Sequence, residues 1–108
     1  MSRPEVAFID PDTLAEWIDR GEATIFDVRE QHEWDEAHIP GAILVPLSTF
    51  DPSAIVAPDS SKIVLHCKSG VRCGMAAERL AAAGVTRPLW RLEGGILNWA
   101  QSGKRVER

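Results

Sequence analysis

Apolar positions along the chain switch between strand-like runs and helix-like spacing, and the switching predicts strands and helices in alternation. Val6, Ala7, Phe8 and Ile9 form a short strand-like run. Asp10-Pro11-Asp12 follows, an acceptor side chain ahead of a proline suited to a first helical turn, so a helix is expected from there to Arg20. Leu14, Trp17 and Ile18 recur three and four residues apart, the stripe that packs a helix onto a sheet, which assigns Trp17 to the core; Gly21 closes the helix. Residues 23–28 read as a β-rich run that ends beside Asp27 and Arg29. Residues 30–37 read as a short charged helix, and Asp27, Glu30, Glu33, Asp35 and Glu36 read as a solvated face.

Pro40-Gly41 marks a turn before the apolar run 42–45, and Pro46, Pro52 and Pro58 punctuate an irregular connection. Lys62–His66 is expected as a buried strand, Ser69-Gly70 breaks it, and an alanine-rich helix follows over residues 72–83 up to Gly84. Residues 88–92 give a last strand, Gly94-Gly95 a turn, and residues 96–101 a last helix with Trp99 facing inward. Residues 104–108 are expected to fray. Strands alternating with helices predict an α/β domain with a central parallel sheet flanked by helices, its functional groups at the carboxyl ends of the strands. Cys67 occupies such an end.

A length of 108 residues suits one domain over 1–108, with its core at about residues 5–103. Hydrophobic residues at 44% and charged residues at 26% match a folding globular chain. The net charge of -4 argues against a protein that grips nucleic acid through its phosphates. No apolar stretch approaches the length of a membrane span, and no signal-peptide pattern is visible at the N-terminus, so a cytoplasmic location is expected by default. With Cys67 and Cys73 as its two cysteines, the chain does not read as a disulfide-stapled scaffold.

The chemistry concentrates in Cys67-Lys68-Ser69-Gly70-Val71-Arg72. A cysteine between a strand end and a helix start faces backbone N–H groups that converge as an anion nest, and the helix terminus adds positive potential. Lys68 and Arg72 should lower the thiol pKa further and draw in an anionic substrate. Arg72 offers a planar fork for two oxygens, Lys68 a mobile point charge, and Ser69 one more hydrogen bond, with Gly70 and Val71 supplying cradle amides. Such a site implies a cysteine nucleophile that takes a group from an oxyanion and passes it on. Phosphoryl and sulfane-sulfur transfer both fit that description.

The six-residue loop resembles the C-x4-R active loop of the rhodanese-like sulfurtransferases, whereas cysteine phosphatases use a longer C-x5-R loop; position 73 is Cys, so the longer spacing has no arginine. Asp27-Val28-Arg29-Glu30, His38-Ile39-Pro40-Gly41-Ala42 and Glu93-Gly94-Gly95 with Trp99 also resemble rhodanese motifs, in order, across residues 27–99. The resemblance implies a three-layer rhodanese-like domain of single-domain type. It implies that Cys67 thiolate takes the outer sulfur of thiosulfate or a similar small anionic donor as a persulfide. The acceptor would be cyanide or a thiol such as glutathione, thioredoxin or a protein cysteine. No metal or organic cofactor is implied, and neither nucleic acid nor membrane is an expected partner.

Cys73 departs from the family, in which a small residue, often Ser, commonly follows the loop arginine. It is either packing or a resolving thiol that closes a disulfide onto Cys67. His66 is expected to pack in its strand, His38 to order its loop, and Asp27 and Arg29 to support the active edge. Two other readings stand beside sulfur transfer: a binding or regulatory module of the same fold without turnover, and a cysteine phosphatase or arsenate reductase.

Overall fold

A computed structural model describes residues 3–108. The elements in chain order are β1 (Val6–Ile9), α1 (Pro11–Asp19), β2 (Ala23–Asp27), α2 (Gln31–Glu36), β3 (Ile43–Leu44), β4 (Lys62–His66), α3 (Val71–Ala82), β5 (Leu89–Leu92) and α4 (Gly95–Gln101). The five strands form one sheet in the order β1-β5-β4-β2-β3, and every pairing is parallel. The alternating α/β pattern of the chain is thus realised as a three-layer domain.

Side chains on successive strand residues point to opposite faces, and each face has its own helical cover. Phe26, Ile63, Leu65 and Leu89 pack with Ala76, Ala77 and Leu80 of α3. Ile9, Ile25, Val64 and Leu92 pack with Leu14 of α1 and with Ile96 and Trp99 of α4. Strand β4 lies at the centre, so Cys67 at its carboxyl end stands over the middle of the sheet, 1% exposed. Asp10 caps α1 as its sequence implies, accepting from the Thr13 N–H at 2.8 Å.

Three expectations need correction. Trp17 is only half-buried, because it lies edge-on against Trp90 at the margin of the sheet, with ring centroids 5.4 Å apart. The polar tail is not frayed. Glu107 exchanges both backbone hydrogen bonds with His38, at 2.8 and 2.9 Å, and the Trp99 indole N–H donates to the Arg105 carbonyl at 2.8 Å. Asp27 belongs to no solvated face: it is fully buried, and Arg29 beside it is 5% exposed.

Candidate active site

Cys67 leaves β4 into a tight loop that re-enters the fold as α3. Gly70 precedes α3 with φ of +114°, a conformation that favours glycine, and its N–H donates to Cys67 Sγ at 3.1 Å. The backbone N–H groups of Arg72 and Cys73 and the Cys73 side chain also favour the ionised sulfur. The Cys73 thiol and these amides together outweigh burial and hold the Cys67 thiol at about 5, against its ordinary 9.0. Cys67 is therefore a thiolate at neutral pH.

The loop's carbonyls are anchored on the outside. Cys67 O accepts from the Ile96 N–H at 2.9 Å and Lys68 O from the Leu97 N–H at 3.2 Å, both in the first turn of α4. Because the peptide unit is planar, each anchored carbonyl turns the following amide away from its anchor. Gly95 makes the close approach possible, since a Cβ there would lie 2.5 Å from both carbonyl oxygens. Gly94 lies in the expected turn, while Gly95 opens α4 and is the seat of the loop.

The remaining predicted residues fall around the sulfur in different ways. Lys68, Ser69 and Val71 are exposed at the rim, and Gly70 is buried. Lys68 borders a cavity of about 420 Å³ between α2 and α4, lined also by Glu33, Leu97 and Val106. The Arg72 guanidinium does not stand open: both of its nitrogens reach Glu33 of α2, at 2.6 and 2.8 Å. That hydrogen bonding holds the Glu33 carboxyl at about 2. The arginine therefore contributes its backbone N–H to the cradle, while its fork is engaged across the loop.

Below the loop, Arg29 Nε and Nη2 grip the Asp27 carboxylate at 2.7–3.1 Å, and Nη2 also reaches the Ala37 carbonyl at 2.7 Å. His66 is fully buried, as strand packing predicts, with Nδ1 3.3 Å from the Cys67 carbonyl and Nε2 3.7 Å from Asp27. Burial keeps its pKa below the ordinary histidine value, so it stays neutral. His38 orders its turn through a 3.0 Å contact with the Trp34 carbonyl and a ring stack on Trp34.

Residues missed by sequence reasoning are Glu33, Gly95 and Arg91, whose Nη2 donates to the Gly70 carbonyl at 2.6 Å and Nε to Cys73 Sγ at 3.4 Å. Glu33 and Gly95 lay inside quoted features, one in a charged helix and one in a glycine pair. Arg91 had no local signal. No group of metal-ligating side chains occurs among the described residues, and no helix among them is long and apolar enough to cross a membrane.

A cysteine at the end of a central parallel strand, its sulfur met by a backbone amide within a six-residue loop closed with arginine, defines an α/β domain with a C-x4-R loop. The family model for the rhodanese-like domain matches residues 10–102, and the chain belongs to that family. It is similar, at 38% identity over 96 residues, to the probable adenylyltransferase/sulfurtransferase MoeZ of Mycobacterium tuberculosis, across 86% of this chain and 24% of MoeZ. The chain thus spans about a quarter of the length of that curated relative. A rhodanese-related protein from Thermoplasma volcanium superposes with a TM-score of 0.78 at 30% identity, covering 94% of this chain and 97% of that one. A thiosulfate sulfurtransferase from Pseudomonas aeruginosa superposes at 0.73 with 25% identity, covering 97% of this chain and 20% of that one.

Proposed function

We propose that this domain is a sulfurtransferase in which Cys67 carries sulfane sulfur as a persulfide. The observation that carries the reading is the Cys67 sulfur itself, ringed by the amides of Gly70, Arg72 and Cys73 and held as a thiolate. Names of relatives support the reaction class, since MoeZ and the Pseudomonas aeruginosa protein both bear sulfurtransferase names.

In the first half-reaction Cys67 thiolate attacks the outer sulfur of thiosulfate, the S–S bond breaks, and sulfite leaves with the electron pair. The persulfide's charge then rests on its outer sulfur, within the amide nest. In the second half-reaction a thiolate acceptor attacks that outer sulfur and Cys67 leaves as thiolate. Glutathione, thioredoxin or a protein cysteine all supply the required chemistry, and no metal or organic cofactor enters. The exposed cation Lys68 meets the donor first. Because Cys67 is only 1% exposed, the rim side chains must part for the donor's outer sulfur to reach it.

Incubation with thiosulfate followed by intact mass measurement tests the proposal. Wild type should gain one sulfur atom and release one sulfite, and Cys67→Ser should gain none. A folded wild type that gains no sulfur refutes it and favours a module without turnover. Turnover of p-nitrophenyl phosphate would instead point to phosphatase chemistry.

A further inference from the structure

The Cys73 thiol donates to the Gly70 carbonyl at 3.1 Å. The same carbonyl takes a second donor, Arg91 Nη2 at 2.6 Å, so that both of its lone pairs are used. Arg91 Nε also donates to Cys73 Sγ at 3.4 Å, so guanidinium, thiol and carbonyl form one connected set at Gly70, whose N–H donates to Cys67 Sγ.

The surroundings are shaped to hold this arrangement. Arg91 projects from β5 across the end of α3, and its guanidinium lies over the Phe8 ring, 4.4 Å from the centroid. Position 74, on the facing turn of α3, is glycine; a Cβ there would lie 2.8 Å from Arg91 Nη2 and 3.0 Å from Cζ. An alanine at 74 would thus displace the head of a flexible side chain rather than backbone.

We propose that Arg91 and Cys73 are a pair of positioning residues for the Cys67 nucleophile: both donate to the Gly70 carbonyl, Arg91 also holds the Cys73 sulfur, and together they fix the residue whose N–H reaches Cys67. This deepens the sulfurtransferase reading and rests on it for Cys67's role. The neighbouring Cys67 sulfur, followed by burial, pushes the Cys73 thiol well above the ordinary range, so it keeps its proton and donates. A thiol held protonated is a poor nucleophile, which makes Cys73 a donor rather than a resolving thiol. The other groups around the Cys67 sulfur are Lys68 in the loop, Arg72 on α3 with its fork on Glu33 of α2, and His66 on β4, kept neutral by burial, with the Asp27–Arg29 pair behind it.

The test is the pH profile of Cys67 alkylation by iodoacetamide in the intact protein, with peptide mapping to separate the two cysteines. Cys73→Ala should raise the midpoint by about one pH unit, a tenfold loss of thiolate at low pH, while Cys73→Ser restores a donor and stays near wild type. Arg91→Met and Gly74→Ala should each raise the midpoint by a smaller amount, although both cysteines remain. Unchanged midpoints in folded Gly74→Ala and Arg91→Met overturn the role of Arg91. An unchanged midpoint in folded Cys73→Ala, or a Cys73→Ser profile displaced as far as that of Gly74→Ala, overturns the role of Cys73. Alkylation needs no sulfur donor, so a wild type that alkylates at low pH yet takes no sulfur from thiosulfate refutes the transfer reaction and leaves the pair standing. A Cys67 that titrates in the ordinary thiol range refutes the pair.

Discussion

Replacing Asp27 by alanine should unfold much of the support beneath the active loop. The carboxylate is fully buried and takes the Arg29 side chain at 2.7–3.1 Å and the Arg29 backbone N–H at 2.9 Å. Its removal strands a guanidinium that is 5% exposed, with the carbonyls of Ala37 and Glu33 as its remaining partners. Breaking one half of such a buried pair costs about 3–5 kcal/mol, a large part of the roughly 5–15 kcal/mol that holds a domain together. At about 4 °C per kcal/mol for a chain of this size, the Tm should fall by at least about 12 °C. Thermal unfolding followed by circular dichroism measures it. Removing both charges in Asp27→Val/Arg29→Met should recover most of the loss, since an apolar pair of similar volume carries no stranded ion. A fall below about 4 °C in the single variant, or a double variant less stable than the single, refutes the reasoning. Sulfur uptake should also weaken while Asp27→Ala is still folded, because Arg29 secures α2, which carries the Glu33 that holds Arg72.

Two further outcomes follow from the loop. Folding lowers the Cys67 pKa from 9.0 to about 5, so between those values the folded protein binds fewer protons than the unfolded chain and its stability rises with pH. That contribution is complete above the unfolded value and lost as pH falls through the folded one. The urea midpoint of wild type should therefore gain on that of Cys67→Ser as pH rises through this window, and a constant difference would count against a native thiolate. Gly95→Ala puts a Cβ 2.5 Å from the carbonyl oxygens of Cys67 and Lys68, at a φ of +60°, and backbone cannot yield as a flexible side chain does. Thiosulfate-dependent labelling should fall by roughly a hundredfold, as misplacement of a reacting group by about 1 Å can cause; Gly41→Ala, where the added Cβ meets open space, should label normally.

The layers of this fold were legible because each depends on local pattern. The apolar run of β4, the alanine-rich face of α3 and the cap at Asp10 are readable within a few residues, and the parallel sheet follows from their alternation. The tail misled for a physical reason. Residues 104–108 carry four charged side chains and no apolar period, yet they are held through backbone groups of Glu107 and Arg105, and composition says nothing about where a main-chain partner will be. Trp17 erred the other way, as a helical stripe locates the face of a helix but not how near the sheet's margin that face will sit.

The site divides along the same line. Cys67 and the loop through Arg72 were readable because the cradle is built from consecutive residues, whose amides converge by local geometry alone. What tunes the cradle comes from far along the chain: Glu33 is 39 residues from Arg72, and Arg91 is 21 residues from Gly70. The partner of the Arg72 fork was not legible because a charged residue such as Glu33, in an exposed helix, looks like solvent-facing surface until the fold lays that helix across the loop. Cys73 shows the complementary case. In sequence it is one cysteine six residues from another, equally suited to packing or to a disulfide. The fold places its S–H on the Gly70 carbonyl beside the guanidinium from β5, a contact that the spacing of the two cysteines does not disclose.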